Sequence, residues 1–347
     1  MAVRESRRPA GKWLGMYKEF FRLQKLPFNL TPDPAFLFLP PKHREALAGL
    51  TYSIMERKGF IVLSGDAGTG KTTLLSSVLN ILPAGRILSS VILNPTLTPS
   101  EFLEMVLLDF GMSDVPGSKA QRLWKLQEFL AQAARQQKVA LLVIDEAHKL
   151  TPEVLEEIRL LGNYESATDK FLQILLLGQS ELDDLLNRQE LRQFKQRIAL
   201  RLYIDPLTAL DVEKYIRFRW AKAGGTELPP FAADAVGGVI QWSRGIPRLI
   251  NSICDNALLM AYGDKSYSVP LHYVREAATN LSLVDAHALP TVVPRPVVLP
   301  DNHMRAPNAN PLSDSLGENH SIPNLLPYGV PRTNSSLLKR LAGKLGM

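Results

Sequence analysis

Phe60-Ile61-Val62-Leu63-Ser64-Gly65-Asp66-Ala67-Gly68-Thr69-Gly70-Lys71-Thr72-Thr73 runs an apolar stretch into a glycine-rich loop and then into a helical pattern. From Gly65 to Thr72 it fits G-x-x-x-x-G-K-[ST]. Glycines at those places let successive backbone N–H groups turn inward around phosphates, and the start of a helix adds the positive end of its dipole. Lys71 then reaches the β and γ phosphates, and the Thr72 hydroxyl ligates Mg²⁺. The expected binding set is Gly65, Asp66, Ala67, Gly68, Thr69, Gly70, Lys71, Thr72 and Thr73, and the expected ligand is ATP with Mg²⁺. The apolar run before the loop and the helix Thr73–Leu82 after it supply the strand–loop–helix setting that the pattern requires.

Working outward, Leu141-Leu142-Val143-Ile144-Asp145-Glu146 is an apolar strand that ends in two acids. Beside such a loop, Asp145 is expected to hold Mg²⁺ through water and Glu146 to polarise the attacking water. His148 completes Asp-Glu-Ala-His and reads as a local polar contact. Phe171–Leu177 is a buried-strand pattern that ends in Gly178-Gln179, which puts Gln179 where it can sense the γ-phosphate; a plain turn residue is the alternative. Leu191–Ile198 reads as a helix carrying Arg192 and Arg197. Either an arginine there projects into a neighbouring subunit's site, Arg197 before Arg192, or the run is a solvated basic face. In Ser243-Arg244-Gly245-Ile246-Pro247-Arg248, Pro247 suits a first helical turn. Arg248 either reaches across to the γ-phosphate or is a surface arginine.

Short runs rich in Ile, Val and Leu, namely 60–63, 87–93, 139–144, 171–177 and 200–204, alternate with amphipathic stretches such as Ser118–Gln137. This alternation predicts an α/β fold with a parallel sheet. After Pro206 the strands stop. Leu210–Ala223, Pro230–Trp242, Pro247–Tyr262 and Pro270–Leu281 read as helices, so an all-helical lid domain is expected to follow the P-loop NTPase domain. The expected division is 1–15 a disordered basic arm, 16–206 the ATPase domain, 207–283 the lid, 284–334 a disordered proline-rich tail, and 335–347 a short amphipathic end.

Apolar residues make up 46% of the 347, enough for a real core, and the net charge is +6. That surplus permits a phosphate-bearing partner without demanding one. The single cysteine, Cys254, excludes a disulfide framework and reads as a core thiol in a reducing compartment. Histidines are scattered with no metal-ligand spacing. No apolar run spans a bilayer, and no apolar segment follows the basic start, so a cytoplasmic protein is expected. Met16 is a second candidate start.

The loop, the acid pair, the strand-tip Gln179, the arginines and Gly245-x-Pro247-Arg248 come in the order of AAA+ ATPases. Further residues narrow the resemblance: Phe20-Phe21-x-Leu23, Leu26-Pro27-Phe28-Asn29-Leu30-Thr31-Pro32-Asp33-Pro34, Phe38, His43-Arg44-Glu45-Ala46-Leu47, Leu176-Leu177-Gly178-Gln179, and Gln196-Arg197-Ile198 through Pro206-Leu207. From about Met16 to Asn280 the chain resembles the general secretion pathway protein A family, itself similar to transposition helper ATPases that bind DNA. The resemblance implies an ATP hydrolase acting as a homo-oligomeric ring or filament. It makes Arg197 the arginine finger and Arg248 the second sensor. The segment holding Phe28, Pro32 and Phe38 reads on its own as a strap packing on the core, while the resemblance implies a role near the adenine. Some family members continue into a transmembrane helix and a periplasmic peptidoglycan-binding domain, where this chain has its proline-rich tail.

The function expected is ATP-driven work or switching for a secretion or envelope-polymer export machine, the alternative being a DNA-associated ATPase regulator. In the terminal segment Leu337, Leu341 and Leu345 share a helical face with Lys339, Arg340 and Lys344 nearby. That segment reads either as a frayed end or as a contact with a partner or the inner face of the membrane.

Overall fold

A computed structural model describes residues 16–31, 33–166 and 169–283. The arm before Met16, the proline-rich tail, the terminal leucine segment and Pro32 lie outside the described residues.

Five strands form one sheet: β1 (Phe60–Gly65), β2 (Ile87–Ile92), β3 (Val139–Ile144), β4 (Leu172–Leu177) and β5 (Ile198–Ile204). Every pairing is parallel and the order is β2-β3-β4-β1-β5. β1, β3 and β4 are buried along their whole length. That follows from near-continuous Ile, Val and Leu in strands covered on both faces.

The period of two sends alternate residues to opposite layers. Val62, Leu142 and Ile174 face α4 (Pro99–Asp109), α5 (Lys119–Arg135) and α6 (Pro152–Leu161). Ile61, Leu63, Leu141 and Leu175 face α2 (Pro41–Met55) and α3 (Lys71–Ile81). The edge strand β5 alternates between partly buried and exposed positions, because only one of its faces is covered. Thr98 and Thr151 accept hydrogen bonds from first-turn amides of α4 and α6, which fixes where those helices begin.

β4 leads into α7 (Ser180–Leu186). The helix expected over Leu191–Ile198 is shorter. A 3₁₀ turn, Gln189–Leu191, passes into α8 (Arg192–Lys195), and Ile198 already begins β5. Phe194 buries its ring against Phe60, 5.1 Å away between centroids, and Ile198 already pairs with Phe60 in the sheet, which leaves no room for a longer helix. Arg197 therefore sits in a turn rather than on a helix.

Among the described residues four helices follow β5: α9 (Ala209–Lys222), α10 (Ala233–Ser243), α11 (Pro247–Gly263) and α12 (Leu271–Asn280). Their core holds Val212, Trp220, Ile250, Cys254, Leu258 and Val274. The N-terminal strap, which opens with α1 (Met16–Phe20), joins this helical core and not the sheet, through Tyr17, Leu23, Phe28 and Phe36. Chain order had grouped residues 16–40 with the sheet. Long-range contacts draw them away: the Tyr17 hydroxyl donates to Asp255, and the backbone N–H groups of Gln24 and Lys25 donate to Ala223 O. Among the described residues no helix is long and apolar enough to cross a membrane.

Candidate active site

A cleft of about 460 Å³ lies between the carboxyl ends of the strands and the helical layer. The phosphate-type loop forms its floor. Gly70, at φ +101°, turns the chain into α3. Gly68, at φ +82°, lets the lid come close: a Cβ there would lie 2.8 Å from Arg248 Cβ, and the Arg248 N–H donates to Gly68 O at 3.3 Å. The loop and the first turn of α11 are thus in direct contact.

Lys71 is buried, and its ammonium donates to Gly65 O at 2.6 Å and Asp66 O at 2.9 Å. Burial lowers its pKa, while Asp145 and Glu146 pull it back up. The Thr72 hydroxyl donates to Asp145 Oδ2 at 3.3 Å, and Asp145 Oδ1 accepts the Glu146 N–H at 2.9 Å. Burial pushes the Asp145 carboxyl up, opposed by the hydrogen bonds from Glu146 and Thr72 and by Lys71. A hydroxyl and a carboxylate meeting beside a phosphate loop are hard oxygen donors, the type Mg²⁺ selects.

Glu146 occupies the left-handed region, φ 53° and ψ 35°, which is rare for a residue with a side chain and is a mark of functional turns. Its carboxylate is 37% exposed, so it can meet water. Three donors face Oε2: Gln179 Nε2 at 3.5 Å, His148 Nε2 at 3.5 Å and Lys149 Nζ at 3.4 Å.

The sequence-expected residues therefore converge. Ala67 to Thr73, Asp145, Glu146, Gln179 and Arg248 all line one cleft. Gly65 shapes the loop from behind, where a Cβ would meet Ile204 O at 2.5 Å. Asp66 accepts from the Tyr203 hydroxyl at 3.3 Å. Arg197 is not in this cleft. Its guanidinium donates to Arg159 O at 3.0 Å and Asn163 Oδ1 at 2.6 Å at the end of α6, and Arg192 is exposed.

The strap, which the resemblance sets near the adenine, lines the far wall with Leu30, Phe36 and Phe38; Tyr215 and Arg219 of α9, which sequence reasoning missed, pack against it there. Arg219 is buried and donates to Pro27 O, to Asn29 O at 3.3 Å and to the Tyr215 hydroxyl at 2.9 Å; its guanidinium stacks 4.9 Å over Phe36. A cationic residue in a helical pattern gives no hint of backbone partners so far away. His43, also in the wall, is buried with Nδ1 unpartnered among the described residues. Burial lowers its pKa against the upward pull of the Thr69 backbone.

A family model for the AAA domain matches residues 54–186. Solved structures share the fold at low identity. Drosophila ORC bound to DNA aligns with TM-score 0.58 at 20% identity, covering 81% of this chain and 70% of that one. The Aeropyrum pernix ORC2 protein, in ADPNP-ADP complexes, aligns with TM-score 0.55 at 16% identity, covering 71% of each. CDC6P from Pyrobaculum aerophilum aligns with TM-score 0.56 at 17% identity, covering 72% and 71%. Parallel sheet, phosphate loop, paired acids and helical layer together define an AAA+ ATPase, and the chain belongs to that class.

The relationship can be drawn more closely. General secretion pathway protein A of Aeromonas hydrophila is 39% identical over 268 residues, which cover 77% of this chain and 49% of that protein. The chain is similar to that protein over this stretch and spans about half its length.

Proposed function

We propose that the protein hydrolyses Mg·ATP and that the energy drives or switches a secretion or envelope-polymer export machine. The convergence of Lys71, Thr72, Asp145, Glu146, Gln179 and Arg248 on one cleft carries the first half of this reading. The identity to general secretion pathway protein A supports the second half.

The substrate's Mg²⁺, held by Thr72 and Asp145, would spread charge over the leaving phosphate oxygens. Loop amides from Gly65 to Thr73 and the Lys71 ammonium bind the phosphates. Lys71 leaves the loop carbonyls to do so, exchanging neutral acceptors for anionic ones, which is favourable for a buried cation. Glu146 orients and polarises the attacking water. Gln179, at the strand tip, senses the γ-phosphate. Arg248 contributes from the helical side and ties lid position to phosphate occupancy. Arg197, outside its own cleft, would leave its contacts with Arg159 O and Asn163 to serve a neighbour's site in a ring or filament.

Lys71→Ala loses ATP binding, whereas Glu146→Gln binds ATP and stalls, with turnover down about 10²–10⁴-fold. Equilibrium nucleotide binding measured beside phosphate release checks both. Wild-type turnover by Glu146→Gln removes the role given to that residue. Loss of export on replacing the chromosomal copy with the Glu146→Gln form tests the pathway; undisturbed export overturns it.

One observation favours the DNA-associated alternative. At the amino ends of the strands, Arg57, Arg86 and Arg135 line a second cleft of about 590 Å³ in which Asp169 is the one acid among the described residues. Duplex DNA that raises ATP turnover, with binding that weakens steeply as salt rises, would support this reading. Flat turnover and no binding at low salt would remove it.

A further inference from the structure

His148 stands next to the acid pair without a role in the scheme above, and its two ring nitrogens face two different parts of the site. Nδ1 lies 3.3 Å from the backbone nitrogen of Gln179. A backbone N–H can only donate, so Nδ1 accepts and carries no proton. A neutral imidazole with Nδ1 bare holds its proton on Nε2. Nε2 lies 3.5 Å from Glu146 Oε2. The ring thus takes a hydrogen bond from the tip of β4 and brings Nε2 within ion-pair range of the acid that follows β3.

We infer that His148 is a positioning residue. It fixes the Glu146 carboxylate relative to Gln179, so that phosphate sensing at the strand tip and water activation at the acid move together. This rests on the reading of Glu146 as the group that polarises water.

The local backbone supports the assignment. Glu146 stands in the left-handed region, and the 3₁₀ turn Ala147–Lys149 that follows folds the chain back over it. The Lys149 N–H closes that turn on Glu146 O at 2.9 Å. The side chains two and three places after the acid are thereby returned to its own carboxylate. The two differ in what holds them. The Lys149 side chain is 52% exposed, so water competes for its ammonium. The His148 side chain is 13% exposed and is anchored at its other end by Gln179. An imidazole has few rotamers to lose, so this bridge restrains the carboxylate at low entropic cost.

The test reads both structure and turnover. In the nucleotide-free protein, imidazole ¹⁵N shifts should show His148 as the Nε2–H tautomer. His148→Ala should speed hydrogen exchange at the Gln179 amide. It should lower kcat roughly 10- to 100-fold, the range that a carboxylate misplaced by about an ångström produces. KM and nucleotide affinity should stay within about twofold. His148→Gln, which keeps one donor and one acceptor, should recover part of kcat and carries the comparison if the alanine variant folds poorly. Combining His148→Ala with Glu146→Gln should cost no more than Glu146→Gln alone, since both remove one function. An Nδ1–H tautomer, additive losses in the double variant, or full kcat in His148→Ala beside a stalled Glu146→Gln would overturn the inference alone. Wild-type turnover by Glu146→Gln would overturn the reading of Glu146 and this inference with it.

Discussion

On the sheet side of the cleft, Lys71, Asp145, Glu146 and Gln179 each stand within a few residues of the strand that carries them, and their hydrogen bonds stay within a loop or join the ends of nearby strands. On the helical side, Arg219 grips Pro27 across 192 positions of sequence, and Tyr17 reaches Asp255 across 238. The first arrangement is set by strand, loop and turn, and survives as long as the sheet does. The second exists only when distant parts of the chain have met. Chemistry is concentrated on the first side and closure of the cleft on the second.

The largest effect expected from this division comes from a residue on the sheet body that serves neither side of its own cleft. Arg197→Ala should cut turnover about 10³–10⁵-fold and leave ATP binding near the wild-type value, as an arginine acting in a neighbour's site would. Mixing it with Lys71→Ala subunits should restore part of the activity. A fall in ATP affinity, or no rescue in assemblies shown to form, would place Arg197 among the structural contacts of α6 instead.

On the helical side the expected effect is on stability. Phe28 is fully buried and meets Phe231 edge-on at 6.0 Å between centroids. Phe28→Ala should cost about 3–5 kcal/mol in urea unfolding. It should raise KM for ATP more than it lowers kcat, because the strap walls the cleft without touching the reacting atoms. An equal loss in kcat with unchanged KM would break the division between chemistry and closure.

The smallest effect sharpens the contrast. Burial raises the Asp145 pKa, so the folded state favours its protonated form and the stability linked to that proton is lost as pH rises. Asp145→Asn should therefore raise Tm at neutral pH by a few degrees while abolishing Mg²⁺-dependent turnover. The gain should shrink as pH falls through the range where Asp145 takes up its proton. A lower Tm at neutral pH would mean that the hydrogen bonds from Thr72 and Glu146 outweigh burial.

The sheet and its chemistry could be read from sequence because both are local. An apolar run of period two, a glycine loop and a lysine lie within fourteen residues, Phe60 to Thr73. The lid helices were legible from their period, and Cys254 was expected in the core, where it lies. Of the far wall, the strap with Phe38 was set near the adenine by resemblance, and the α9 residues were not legible. Nothing near Arg219 or Tyr215 says that the strap's carbonyls and the Phe36 ring will come to them. The same limit shortened the arginine helix, since Ile198 already pairs with Phe60 of another strand. His148 was read as a local polar contact; its link to Gln179 needed the parallel placement of β3 beside β4.

The strap's attachment has a mechanical side. From Tyr17 onward the strap is fastened to the four-helix layer through Tyr17, the Gln24 and Lys25 amides and Arg219 before the chain reaches the sheet. The strap is therefore expected to move with the helices rather than with the sheet. A fluorophore fixed at the Tyr17 end of the strap, paired with one on an exposed residue of α5, would track lid angle through a turnover cycle without touching the cleft.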